Sequence, residues 1–152
     1  MIYLSLKWIH VLAAVVALGT NLTYSIWLTR TVNNPDQLLF TLKTIKFLDD
    51  KVANPAYVLS LITGLGMVYV SGWSLITPWL LLSTVLYSLV VVVGLFAYTP
   101  TLKQQINIVE DGGVFSGPYE AVAKRGTLLG IVLVILVVNI IFLMVFKPPL
   151  WG

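Results

Sequence analysis

The chain has 152 residues, of which 59% are hydrophobic and 10% charged, with a mean hydropathy of +0.96 and a formal net charge of +3. A water-soluble domain of this size needs far more polar surface, so the composition reads as a membrane protein. With no cysteine and a single histidine, disulfides, thiolate catalysis, iron–sulfur clusters, c-type haem attachment and a histidine-rich metal site are excluded.

The first apolar stretch, residues 4–28, is interrupted only by Lys7 and His10 near its start. A helix of about 20 residues crosses about 30 Å of hydrocarbon. This stretch is too long for the core of a signal peptide, and no small-residue cleavage site precedes a polar domain, so a retained helix is expected. At about 100° per residue, Ala17, Asn21 and Leu28 fall within about 20° of His10, flanked by Ala14 and Tyr24. Such a stripe is expected to face the bundle, because polar groups in lipid are costly. His10 has the chemistry to ligate a haem iron or to hydrogen-bond a quinone; the structural alternative is a histidine donating to a neighbouring carbonyl. Lys7, one turn earlier, suits a snorkelling role.

The connection 29–54 holds Arg30, Lys43, Lys46 and Lys51. Asn34-Pro35-Asp36 marks a helix start, and Leu38, Leu42, Ile45, Leu48 and Val52 recur at helical spacing after it. The pattern predicts an amphipathic helix that lies on the membrane or feeds into the second span. That span covers 55–72, with Pro55 suited to a first helical turn. Within it Ser60 and Gly64 make a small-x-x-x-small pair that permits close helix approach, and Thr63-Gly64-Leu65-Gly66 is a point of close packing.

After a short turn, Trp73 to Thr77, the third span covers 78–98. The connection 99–126 carries Lys103, Lys124 and Arg125; helix three is expected to run on to about Val109, break at Glu110-Asp111-Gly112-Gly113, and give way to a new helix at Ser116-Gly117-Pro118. The fourth span, 127–146, is the purest, with Asn139 its one strongly polar residue. Asn21, Tyr24 and Asn139 are assigned to the bundle interior, the two asparagines as interhelical hydrogen-bonding residues, and Gly126 and Gly130 form a second small-x-x-x-small pair.

Continuous hydrophobicity without alternation excludes a β-barrel, and an unsolvated backbone must then be helical. The fold class is therefore an all-α membrane protein: one domain, a four-transmembrane-helix antiparallel bundle with an amphipathic helix after span one. Both long connections are basic and are expected in the cytoplasm, with both termini outside and Trp8, Trp73, Trp79 and Trp151 near the outer interface. All six acidic residues lie in these connections beside the bases, which argues against nucleic acid as a partner. No acid lies within a span, which disfavours a cation-coupled transporter, and no phosphate loop or nucleophile elbow occurs.

The opening KWIHVLAAVVALG, then Arg30, FLDDKVANPAYVLSLITGLGMVYVSGW, the tryptophan that starts helix three and YTPTLKQQ resemble the DUF2269 family over nearly the whole chain. That resemblance implies an integral membrane protein of the bacterial cytoplasmic membrane. The helix-one histidine, the proline before helix two, Thr-Gly-Leu and the outer Gly-Trp are more distantly similar to the HemJ-type protoporphyrinogen oxidases, four-helix membrane proteins that bind haem b. By that resemblance His10 is the haem ligand. The early helix-three lysine of that family has no counterpart in Trp79-Leu80-Leu81-Leu82-Ser83.

Three functions follow as expectations. The first is a non-catalytic membrane subunit or scaffold, in a homo-oligomer or larger complex within the bilayer, docking through glycine faces such as Gly126 and Gly130. The second is a haem-, porphyrin- or quinone-binding redox protein using His10; as an enzyme it is a membrane oxidoreductase acting on a porphyrinogen or quinone. The third is a transporter of a small neutral solute lined by Asn21, Tyr24 and Asn139.

Overall fold

The computed structural model describes residues 1–31, 34–114 and 116–149. They form six α-helices: α1 (Ile2–Thr31), α2 (Pro35–Leu48), α3 (Asn54–Ser71), α4 (Pro78–Val93), α5 (Thr99–Glu110) and α6 (Gly117–Phe146). Two five-residue π-helical turns, Asp49–Ala53 and Gly94–Tyr98, join α2 to α3 and α4 to α5 without a break. Four helical rods result, each long and apolar enough to cross a membrane: Ile2–Thr31, Asp36–Ser71, Pro78–Glu110 and Gly117–Phe146.

Both π-turns have the same cause. Each is followed at once by a dipeptide ending in proline, Asn54-Pro55 and Thr99-Pro100. Proline has no N–H, and its ring crowds the carbonyl four residues back, so a regular turn cannot close there. The helix widens instead: the N–H of Asn54 reaches the carbonyl of Asp49, and that of Thr99 the carbonyl of Gly94, five residues back in each case.

The second and third rods have 36 and 33 residues. At about 1.5 Å per residue they exceed the hydrocarbon layer by roughly 20 Å. The excess lies at the end that carries α2 and α5, here the connection end; the Trp73–Thr77 turn marks the turn end. The buried apolar cluster sits at the connection end and comprises Tyr24, Leu38, Leu42, Ile45, Leu102, Val109 and Tyr119. The amphipathic helix thus feeds into the second span, and its apolar face (Leu38, Leu42, Ile45) packs within the protein rather than on the membrane surface. Its start is as the sequence predicts, with the Asn34 carboxamide oxygen accepting from the Gln37 N–H at 3.3 Å.

The closest helix pairings are α1 with α3 and α4 with α6, so the chain is two helical hairpins set side by side. α2 on α5 and α1 on α6 join them. At the turn end, Trp73 and Trp79 meet edge to face at 5.4 Å, and the Lys147 ammonium lies 5.4 and 5.2 Å from their rings. This cation–π contact pins the end of α6 to the turn between α3 and α4. Trp8 is exposed near the start of α1, whereas Trp151 lies outside the described residues.

Candidate functional site

The polar residues of α1 meet those of α3 in a seam of three levels. At the first, His10 Nδ1 lies 2.8 Å from the Ser60 carbonyl oxygen, 3.3 Å from Ser60 Oγ and 3.4 Å from Thr63 Oγ1. Thr63 Oγ1 donates to the Leu59 carbonyl at 2.7 Å. A carbonyl can only accept, so the shortest contact puts the imidazole proton on Nδ1 and leaves Nε2 with its lone pair. Nε2 has no hydrogen-bond partner among the described residues. A Cβ on Gly64 would stand 3.2 Å from His10 Cε1 and 3.4 Å from Nδ1, so the glycine makes room for the ring. Ser60, Thr63 and Gly64 together form the seat of His10.

At the second level, the Asn21 side-chain amide donates to the Tyr57 hydroxyl at 2.6 Å. The Tyr87 hydroxyl of α4 donates to the Tyr57 backbone carbonyl, also at 2.6 Å, which links the two hairpins. Bonds of this kind hold membrane helices together where no hydrophobic drive exists, at about 0.6 to 2 kcal/mol each.

The third level is at the connection end. Tyr24 is 4% exposed, and its hydroxyl is a buried polar atom without a hydrogen-bond partner among the described residues. Asp49, the first residue of the first π-turn, is 6% exposed. Its charge falls on Tyr24 of α1, Tyr57 of α3 and Tyr98 at the end of the second π-turn. Burial pushes the Asp49 carboxyl above the usual carboxylate range, and the charge of Asp50 adds to the shift, while Lys46 and Asn54 oppose it. Lys46 forms its ion pair with Asp50.

The structure thus brings His10, Ser60 and Gly64 into one contact and lines Asn21 and Tyr24 along the same seam. It does not bring Asn139 there. Asn139 is exposed on α6 and donates to the Ile135 carbonyl of its own helix at 2.8 Å, so its expected interior placement is corrected. The reason is that α6 buries only Tyr119, Gly126 and Leu143, so even a position one turn before Leu143 stays exposed. Gly126 is filled from within the chain by Gln105 and Thr101 of α5, while nothing stands within 4 Å of where a Cβ on Gly130 would be.

Sequence reading passed over Asp49, Tyr57, Tyr87 and Gln105. For Asp49 a signal existed: Leu38, Leu42, Ile45, Asp49, Ala53, Ala56, Ser60 and Thr63 form one buried stripe at three- and four-residue steps. The doublet Asp49-Asp50 reads as solvated when taken alone. The two tyrosines carry no such pattern.

Among the described residues no group of three His, Cys, Asp or Glu side chains is placed to hold a metal ion, and His10 is the single imidazole of the chain. The model of the family described as "Predicted integral membrane protein (DUF2269)" matches residues 4–148. No curated protein and no solved structure matches the chain.

Proposed function

The chain belongs to the DUF2269 family of predicted integral membrane proteins, and from that premise we propose that it is a small non-catalytic membrane subunit docking through its last span. It would sit in the bacterial cytoplasmic membrane with the basic connection end inside, as the lysines and arginines of the two long connections support. Asn139 carries the reading. Its carboxamide stands on an exposed face of the most apolar span, bonded only to its own helix among the described residues. An amide in hydrocarbon is costly, and a helix from another subunit that bonds to it relieves the cost. Leu128, Ile135, Phe142 and Phe146 are exposed on the same side of α6, with Phe142 and Phe146 stacked at 4.6 Å.

The occupant is a second copy of this chain. A twofold axis beside α6 sets Asn139 against Asn139, and a carboxamide is both donor and acceptor, so each satisfies the other. The test is the stoichiometry of fluorescently labelled protein in dilute phosphatidylcholine vesicles, counted by bleaching steps. Wild type is expected as a dimer, and Asn139→Leu should weaken association about tenfold, the equivalent of about 1.4 kcal/mol. Gly130→Leu, on the opposite side of α6, should leave it unchanged. Wild type that is monomeric at every density would sink the self-docking reading.

A second reading rests on His10. A histidine anchored through Nδ1–H on a carbonyl, with Nε2 open, has the arrangement that orients histidines toward metals. His10 would hold haem b through Nε2, or accept from a quinol hydroxyl. An absorption spectrum from the near ultraviolet through the visible, before and after adding haem b, tests it. A Soret band that His10→Ala removes supports it, and an unchanged spectrum rules it out.

A further inference from the structure

We propose that Asp49 and Tyr24 form a proton-binding site at the connection end, in which the Asp49 carboxyl group holds the proton and the Tyr24 hydroxyl is its hydrogen-bonding neighbour.

Three observations carry it. Asp49 occupies a place on the buried stripe of the second rod where an apolar residue would otherwise sit, against α1. Among the described residues no lysine or arginine pairs with it, because the nearby Lys46 is bonded to Asp50. A buried carboxylate without a cation is relieved by binding a proton. The third observation is the Tyr24 hydroxyl, buried and without a hydrogen-bond partner among the described residues. A hydroxyl can donate to a carboxylate or accept from a carboxylic acid, directly or through one water, so it can follow Asp49 in both states.

The groups around Asp49 come from every element packed on it. Asp50 and Lys46 belong to its own rod, as does Asn54; Tyr24 comes from α1, Tyr57 from α3 and Tyr98 from the second π-turn. Asp50 opposes the charged form of Asp49; Lys46 and Asn54 favour it, but Lys46 is paired with Asp50. The raised carboxyl pKa is what this setting produces. Asp49 opens the first π-turn, and Tyr98 closes the second. Asn21 lies one turn from Tyr24 on α1 and donates to Tyr57, so the site is the inner end of a hydrogen-bonded seam that reaches into the span. All six acids of the chain lie in the two connections, so no carboxylate lies further along the seam within the spans to pass the proton on.

The experiment is an infrared pH titration of the full chain purified in detergent, following the carbonyl band of a protonated carboxyl group. The wild-type protein is expected to keep a component of this band that titrates above the range of exposed carboxyl groups, apart from the chain's other five acids. Asp49→Asn should remove that component, and Asp50→Asn should retain it. Tyr24→Phe, which keeps the ring and its packing, should move the midpoint by at least about threefold in affinity. A component above the exposed-carboxyl range that survives Asp49→Asn, or the absence of such a component in wild type, overturns the proposal. Should Asp49→Asn fail to fold, Tyr24→Phe decides alone: a moved midpoint supports the site, and an unmoved one overturns it.

Discussion

Gly126 of α6 and Gln105 of α5 face each other so closely that a Cβ on the glycine would collide with the Gln105 side-chain nitrogen. Gln105 is buried, and its amide reaches the Val122 carbonyl at 3.4 Å, so this contact joins the two halves of the last connection. The close approach that Gly126 permits is taken up within the chain. Gly126→Ala should therefore lower stability by about 1–3 kcal/mol through overpacking. Gly130→Ala, with open space before it, should be neutral or stabilise by up to about 1 kcal/mol through helix propensity. Thermal melts of the two variants in one detergent distinguish them.

The His10 seat makes a prediction about which atom matters. The shortest contact is to the Ser60 backbone carbonyl, so Ser60→Ala should cost little, under about 0.5 kcal/mol. His10→Ala removes the cross-helix donor to that carbonyl, which keeps the Thr63 hydroxyl at 3.1 Å, and should cost about 1–2 kcal/mol. Gly64→Val should displace the ring and resemble His10→Ala. Equal losses for Ser60→Ala and His10→Ala in thermal melts would contradict the assignment.

Asn21 and Tyr57 should behave as a coupled pair. Tyr57→Phe leaves the Asn21 amide unbonded, and Asn21→Leu leaves the Tyr57 hydroxyl without its donor. A double-mutant cycle should return a coupling of about 0.6 to 2 kcal/mol. Tyr87→Phe acts on the Tyr57 carbonyl instead, so it should loosen the contact between hairpins. Cross-linking between engineered cysteines on α3 and α4 would report that loosening as a broader range of reacting pairs.

Stability should depend on pH through Asp49. Its folded pKa lies above its unfolded value, so the contribution is fully present below the unfolded carboxyl pKa, near 3.8. It is lost as pH rises through the folded value. The melting temperature of wild type should thus fall over that window relative to Asp49→Asn, which has no proton to lose. Melts of both proteins across the acid range check it; parallel curves would contradict it.

The four spans were legible because twenty uncharged apolar residues admit one reading in lipid. The caps at Asn34 and Ser116 were legible from local chemistry. The His10 stripe was legible because periodicity sets which residues share a face, and a polar face in a span turns inward. Asn139 defeated the same argument, since a lone polar residue defines no stripe and α6 buries little of its surface. The π-turns escaped notice because proline before a span reads as a start, whereas Pro55 and Pro100 here continue helices already under way. The Tyr57 and Tyr87 bonds depend on which hairpins adjoin, a relation that no local pattern encodes.

The long second and third rods place two kinds of cohesion in one small molecule. At the connection end the Leu38–Leu42–Ile45 core excludes water, and the hydrophobic effect holds it. Along the spans the surroundings are as apolar as the side chains, so packing and the bonds of His10, Asn21 and Tyr87 hold the helices. The two halves should answer to different solvents: urea should loosen the connection end first, while a change of detergent chain length should be felt at the seam. A single melting temperature will then describe whichever half the chosen probe watches.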